Sequence, residues 1–95
     1  EGESLPEGII ENALDVKVYP NPAHDMLTVS IDVKESSDLL LQLNDITGRI
    51  ILLENENAKE GLNTYQLGLK HISKGVYMLE VKSASESRKT KVVVE

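Results

Sequence analysis

The sequence contains no cysteine, no tryptophan and no phenylalanine, and it has only three tyrosines. Without cysteine the chain can form no disulfide framework, no thiol nucleophile and no cysteine-ligated metal site. With so few aromatic rings it is poorly suited to binding sugars or nucleobases by stacking. Hydrophobic residues still make up 40% of the chain, and because most of them are Leu, Ile and Val, they indicate a thin aliphatic core.

Positive charge and long apolar runs are also scarce. Ten Lys and Arg residues stand against sixteen Asp and Glu, which gives a net charge of −6, whereas a nucleic-acid-binding protein needs a basic face. No stretch approaches the roughly 18 apolar residues of a membrane span, and the N-terminus lacks the basic and apolar regions of a secretory signal peptide. We therefore expect no nucleic-acid partner and no integral membrane segment. Because the chain also lacks an initiating Met, we interpret it as the end of a longer protein.

What the sequence does contain is a period-two pattern of apolar residues. Leu27, Val29 and Ile31, for example, alternate with polar residues, as expected for a strand with one buried face. About seven such segments occur, separated by turn signals at intervals of about 8–12 residues, and no segment of helix length shows a helical period. The pattern predicts an all-β, immunoglobulin-like antiparallel β-sandwich over residues 14–95, preceded by a flexible acidic linker at residues 1–13.

The fourth strand is the least regular of the predicted strands. Residues 50–53 are consecutive apolar residues, which predicts a short strand that is buried on both sides or lies at an edge covered by another segment. The polar residues that follow, 55–61, predict a turn before the fifth strand.

No spacing of reactive residues indicates catalysis. The hydroxyl side chains have no adjacent base and orienting acid, and the two histidines, His24 and His71, do not have the spacing of a metal-binding pair. The glycines are spread singly rather than gathered in a phosphate-binding loop. We therefore expect no enzymatic activity, no cofactor and no metal centre.

Two charged clusters leave alternatives open. Glu54 and Glu56 lie two residues apart on one face of a strand. They could bind calcium together with Asn55 or Asn57, or they could form a solvated edge that blocks aggregation. A basic cluster near the C-terminus could be a docking patch or the charged solvent face of an edge strand. The basic cluster consists of Arg88, Lys89 and Lys91.

Four short motifs occur in order along residues 16–95. Their sequences are Val18-Tyr19-Pro20-Asn21-Pro22-Ala23-x-Asp25-x-Leu27, then Asp45-x-x-Gly48-Arg49-Ile50-Ile51, then Gly61-x-Asn63 followed by Leu67-x-Leu69-x-x-Ile72-x-x-Gly75-Val76-Tyr77, and finally Lys91-Val92-Val93-Val94-Glu95. In this order they resemble the type A C-terminal sorting domains of the type IX secretion system, the Por secretion system family.

The resemblance implies an exported protein of a Bacteroidetes-type bacterium. Residues 14–95 would be the sorting domain, which sends an upstream cargo domain of the same polypeptide through the periplasm and outer membrane to the cell surface or beyond. Its partners would be the outer-membrane secretion translocon and a sortase-like peptidase that cuts within or before residues 1–15. The recognition surface would involve the last strand, Lys91, Val92, Val93, Val94 and Glu95. The remaining motif residues would mainly specify the fold; they are Pro20, Asn21, Pro22, Asp25, Gly48, Arg49, Gly75 and Tyr77.

Some interpretations do not depend on the family. Pro20 and Pro22 fix φ and remove two backbone donors, which should move the chain off one sheet edge and toward the next strand. Tyr77, near the start of the sixth strand, resembles a tyrosine corner. The aliphatic terminal strand could add to the edge of a partner's sheet. The alternative function is a non-catalytic carbohydrate-binding or adhesion module of a secreted enzyme, and nothing predicts a hydrolase.

Overall fold

The computed structural model describes residues 14–95, and the linker predicted at residues 1–13 lies outside this range. The described part consists of seven strands, and it contains no helix of the length and apolarity needed to cross a bilayer. The strands are β1 (Leu14–Tyr19), β2 (Met26–Val33), β3 (Ser37–Asp45), β4 (Ile50–Ala58), β5 (Gly61–Gly68), β6 (Gly75–Lys82) and β7 (Ser87–Val94).

The strands form two antiparallel sheets. The first has three strands in the order β1-β2-β5, and the second has four in the order β4-β3-β6-β7. Every strand pairing is antiparallel. The prediction of an all-β, immunoglobulin-like sandwich is therefore confirmed.

The core lies between the two sheets and is built by the period-two pattern. In β2, the central strand of the first sheet, Leu27, Val29 and Ile31 are completely buried. They belong to one cluster with inward residues of the second sheet, such as Leu41 and Leu43 of β3. Each aliphatic side chain buried in this way contributes about 1.5–3 kcal/mol before chain entropy is subtracted.

β4 differs from the sequence prediction in both length and burial. It spans nine residues, Ile50–Ala58, and only two residues separate it from β5, so the turn lies at residues 59–60 and does not extend over 55–61 as predicted. Ile50 and Leu53 are each 51% exposed, because their side chains lie on the outer face of the sheet, beside Asn44 and Gln42 of β3. Polar residues can occupy both faces of an edge strand, and the apolar alternation that identifies a strand is then missing from the sequence.

The segment between β1 and β2 leaves the first sheet, passes along β7 of the second sheet and then returns to the first sheet at β2. It contains Pro20 and Pro22, each preceded by a cis peptide bond. Beyond them Ala23 is completely buried and forms a parallel bridge with Val94 of β7. The chain leaves the edge of the first sheet as predicted, but before it reaches the next strand, β2, it passes along the C-terminal strand β7, a contact that the sequence did not predict.

Candidate recognition site

The five C-terminal residues predicted for recognition divide between the two faces of the last strand. Val92 and Val94 point into the sandwich and are 0% and 3% exposed. Lys91 and Glu95 are exposed, and Val93 is half-buried. The two inward valines therefore anchor β7 in the core, and the other three residues are the ones whose side chains a partner can contact.

The outer edge at this end of β7 is covered by residues 20–24, which we call the Pro-Asn-Pro cap. The Asn21 side chain takes the place of a neighbouring strand: Nδ2 donates to the Lys91 carbonyl at 3.0 Å, and Oδ1 accepts the Val93 N–H at 3.0 Å. Ala23 continues the pattern with its backbone, since its N–H donates to the Val93 carbonyl at 2.7 Å and its carbonyl accepts the Glu95 N–H at 2.8 Å. These four hydrogen bonds occupy outward backbone groups of residues 91–95, at the end of β7 and one residue beyond it.

The cap limits how a partner can bind the terminal strand. Another strand could pair with residues 91–95 only by displacing these hydrogen bonds, so direct strand addition at this end is not supported. The cap instead unites two motifs that lie 70 to 72 residues apart in the chain. We call the result the composite surface; its exposed side chains are Pro20, Pro22, His24, Lys91 and Glu95.

The Asp45 motif forms the hairpin between β3 and β4. The Asp45 carboxylate accepts hydrogen bonds from the Thr47 N–H and hydroxyl at 2.9 and 2.6 Å, and from Arg49 N–H and Nε at 3.0 and 3.1 Å. These hydrogen bonds, above all the one from the Thr47 hydroxyl, lower the pKa of Asp45 to about 2. Gly48 has a φ of +92°, which glycine adopts without steric cost. All of these contacts lie within the turn itself.

Three further motif residues lie near strand ends: Asp25 precedes β2, and Gly75 and Tyr77 lie at the start of β6. The Tyr77 hydroxyl donates to the Ser73 carbonyl at 2.6 Å, and the side chain is 8% exposed, which confirms the tyrosine corner. A Cβ placed on Gly75 would lie 3.7 Å from Cε1 of that ring. Asp25 contributes its backbone, since its carbonyl accepts the Leu69 N–H at 2.8 Å.

Glu54 and Glu56 share one face of β4, as predicted, but that face is directed inward. They pair in register with Leu41 and Leu39 of β3, whose side chains are buried in the core. Burial raises the pKa of Glu56 above its ordinary value, and the neighbouring Glu54 carboxyl raises it further. The sequence correctly predicts that the two carboxyl groups lie together, but it does not show which face of the strand is buried.

The asparagines between and after these glutamates lie on the opposite face of β4. There Asn57 Nδ2 donates to Asp38 Oδ1 at 2.6 Å. Because Asn55 and Asn57 point away from Glu54 and Glu56, the hypothesis that they complete a calcium site with the glutamates is wrong. Within residues 14–95 no three His, Asp or Glu side chains are grouped so that they could hold a metal ion.

The basic residues near the C-terminus do not form one patch. Arg88 Nη2 lies 2.7 Å from Glu86 Oε2, and Nε donates to the Leu14 carbonyl at 3.1 Å. Arg88 therefore links β7 to the start of β1. Lys89 and Lys91 are exposed, so a basic docking surface at β7 would rest on these two side chains.

Comparisons with known proteins agree with this architecture. A family profile described as "Secretion system C-terminal sorting domain" matches residues 17–95. Among solved structures, dimeric latent PorU from Porphyromonas gingivalis has a TM-score of 0.71 and 20% sequence identity, over 95% of this chain and 10% of that one. The present chain thus spans about a tenth of the PorU chain, and at this identity the likeness shows the fold alone.

A second solved structure is more distant. The β-glucosidase from Listeria innocua in complex with glucose has a TM-score of 0.47 and 16% identity, over 85% of this chain and 16% of that one, which is too little similarity to support a conclusion. No curated protein matches the chain.

Proposed function

The chain belongs to the family of secretion system C-terminal sorting domains, and we propose that it sends an upstream cargo domain of the same polypeptide through the type IX secretion system. The outer-membrane translocon binds it as a folded module. A sortase-like peptidase then cuts within or before residues 1–15 and frees the cargo at the cell surface or outside. The domain itself performs no catalysis.

The Pro-Asn-Pro cap is the observation that supports recognition of a folded module rather than of a linear signal. The backbone groups of Lys91, Val93 and Glu95 are held by hydrogen bonds to the Asn21 side chain and to the Ala23 backbone. A receptor that contacts the composite surface therefore reads residues from both ends of the domain at once. An unfolded chain does not present this surface, so recognition depends on folding.

The rigidity of the composite surface favours its role as a signal. Val92 and Val94 fix β7 from the inside, while the cap fixes it from the outer edge. A surface that is already ordered loses little conformational entropy on binding, so more of its contact energy appears as affinity. We expect the translocon to contact the side chains of this surface and to leave the hydrogen bonds of the cap intact.

Export of a reporter tests the proposal. Residues 1–95 are fused to the C-terminus of a periplasmic reporter in a bacterium that has a type IX system, and the fusion is expected at the cell surface or in the medium. Lys91→Ala and Glu95→Ala are expected to reduce export without removing any core side chain. Retention of the unaltered fusion in the periplasm would refute the proposal.

A second pair of variants tests the cap. Asn21→Ala is expected to reduce export, because it removes both side-chain hydrogen bonds to β7. Asn57→Ala is the matched control, since it also removes an exposed asparagine hydrogen bond, but on β4. Equal export of the two variants would show that the cap is not needed for recognition.

The carbohydrate-binding alternative has no specific support. Sugar-binding surfaces usually present several exposed rings as a platform. Of the three tyrosines, Tyr65 and Tyr77 belong to or pack against the core, and Tyr19 exposes about half of its surface. Saturable binding of the domain to a soluble polysaccharide would revive this alternative.

A further inference from the structure

Within residues 14–95 no segment pairs with the outer edge of β4, whereas the end of β7 is covered by the Pro-Asn-Pro cap. β4 is an edge strand of the four-stranded sheet, and among the described strands it pairs only with β3. Within the described range, no backbone hydrogen bond joins its outer edge to another segment. Nine residues of unpaired edge are long enough to pair with a further strand, which is the basis of peptide recognition by strand addition.

The side chains next to this edge carry uncompensated negative charge. Glu54 and Glu56 face inward from β4, and no ion pair formed within residues 14–95 includes either of them. Tyr65 of β5 faces them from the other sheet, and its hydroxyl is buried without a hydrogen-bond partner in the described part of the chain. Burial raises the pKa of Tyr65, and the nearby Glu56 carboxylate raises it further. The site therefore offers two acidic groups and a free hydroxyl to a donor.

An apolar pocket lies beside the other end of the same edge. It has a volume of about 450 Å³, and its apolar walls come from Met26, Ile51, Leu52 and Ile72. Asp25, Lys70 and His71 also line it. Leu52 is also the inward residue that precedes Glu54 by two positions on β4. The inward face of β4 therefore presents one apolar residue, Leu52, followed by two acidic residues, Glu54 and Glu56, at the two-residue spacing of a strand.

We propose that the β4 edge binds an extended segment of a partner protein that carries one apolar and two basic side chains at alternating positions. The segment pairs with the β4 backbone, places its apolar side chain beside the Leu52 pocket, and places its two basic side chains against Glu54 and Glu56. A Lys or Arg there neutralises the carboxylates and can donate to the Tyr65 hydroxyl. A neutral or acidic strand would leave the same charges unpaired and is rejected.

Inward charges on an edge strand can also serve only to prevent aggregation, and the two roles predict opposite effects of removing the charges. If the glutamates only protect the edge, Glu54→Gln/Glu56→Gln opens it to strands of any charge. If they bind a basic segment, the same change weakens the binding of that segment.

The experiment uses the 95-residue chain and two fluorescein-labelled peptides, Ser-Leu-Thr-Lys-Thr-Lys-Ser and the reversed sequence, one for each strand direction. Fluorescence anisotropy at low salt is expected to show saturable binding of at least one of them, and salt should weaken it. E54Q/E56Q should lower the affinity about tenfold or more. The double variant Glu35→Gln/Glu60→Gln removes the same charge from exposed turn positions and should leave the affinity close to that of the unaltered chain.

Several outcomes would overturn the proposal. They are the absence of binding by both peptides, equal binding by peptides with Glu in place of Lys, an unchanged affinity in E54Q/E56Q, and a gain in affinity for all peptides in that variant. Amide shift changes located at residues 87–95 instead of 50–58 would also do so. The peptide with Glu in place of Lys is tested on the unaltered chain, so the result does not depend on how well the variant folds. Reporter export is not involved, so the proposed sorting function can fail or succeed independently.

Discussion

The two edge strands of the second sheet are protected in different ways. At β7, Asn21 and Ala23 occupy the outward hydrogen-bonding groups of the last residues. At β4 no other part of residues 14–95 pairs with the outer backbone edge, and Glu54 and Glu56 place charge beside it. An edge filled by hydrogen bonds excludes every added strand, whereas an edge guarded by charge excludes only the strands that cannot neutralise that charge.

The path of the chain explains why the two edges differ. The segment between β1 and β2 leaves the first sheet, passes along β7 and returns to the first sheet, so it can close that edge. β4 is joined by two residues to β5, which lies in the other sheet. The connection therefore turns away from the β4 edge, and in the described part of the chain no other segment covers it.

The largest expected difference between the two edges is in their packing. Val92 of β7 is completely buried, whereas Leu53 of β4 is 51% exposed. Val92→Ala should lower the free energy of unfolding by about 2 kcal/mol because it leaves a cavity, while Leu53→Ala should change it by less than about 0.5 kcal/mol. Urea unfolding followed by far-ultraviolet circular dichroism measures both values. Similar losses in the two variants would contradict the inward placement of Val92 and the outward placement of Leu53.

A smaller loss is expected when the cap is weakened. Asn21→Ala removes two hydrogen bonds to β7 and should lower the free energy of unfolding by about 1 kcal/mol, since both bonds are partly exposed to water. The Val93 amide, which donates to Asn21, should exchange its hydrogen faster. Asn57→Ala is the control and should leave the Val93 amide unaffected. If Val93 exchanges at the same rate in both variants, the cap does not close the edge in solution.

Much of the fold could be predicted from the sequence because local patterns determine it. Strands such as β2 have apolar residues on one face, and the turn residues mark where they end. β4 could not be predicted in full, since Asn55 and Asn57 resemble turn residues although they lie within an edge strand. Alternation places Glu54 and Glu56 on one face of β4, but only the pairing with β3 shows that this face is the inner one.

The candidate site was only partly predictable for a different reason. The terminal strand is visible as an aliphatic run, and the two prolines indicate that the chain leaves a sheet edge. The hydrogen bonds of Asn21 join residues more than 70 positions apart, and no local pattern encodes such a contact. The motif did contain one clue to this contact. An Asn side chain carries both a hydrogen-bond donor and an acceptor, and a group that replaces a neighbouring strand needs both.

Asp45, in the hairpin that joins β3 to β4, should make the free energy of unfolding fall in acid. The pKa of Asp45 is lowered from 3.8 to about 2, so the unfolded chain binds this proton more readily than the folded chain. The stabilisation is present above pH 3.8 and is lost as the pH falls toward 2. Asp45→Asn should remove this part of the pH dependence, as measured by urea unfolding across that range. An unchanged slope in the variant would show that the carboxylate does not stabilise the turn.

The smallest effect is expected at Glu56, and its pH dependence has the opposite sign. Burial and Glu54 raise the pKa of Glu56 above 4.5, so the folded chain binds this proton more readily, and the stabilisation is lost as the pH rises through the folded-state value. Glu56→Gln should therefore raise the free energy of unfolding by about a few tenths of a kcal/mol at neutral pH. It should not change this free energy in mild acid, where the carboxyl is already neutral. Glu60→Gln, at an exposed turn, is the matched control for the charge change. If E56Q is no more stable than E60Q at neutral pH, the inward charge costs the fold nothing, and the electrostatic distinction between β4 and β7 is lost.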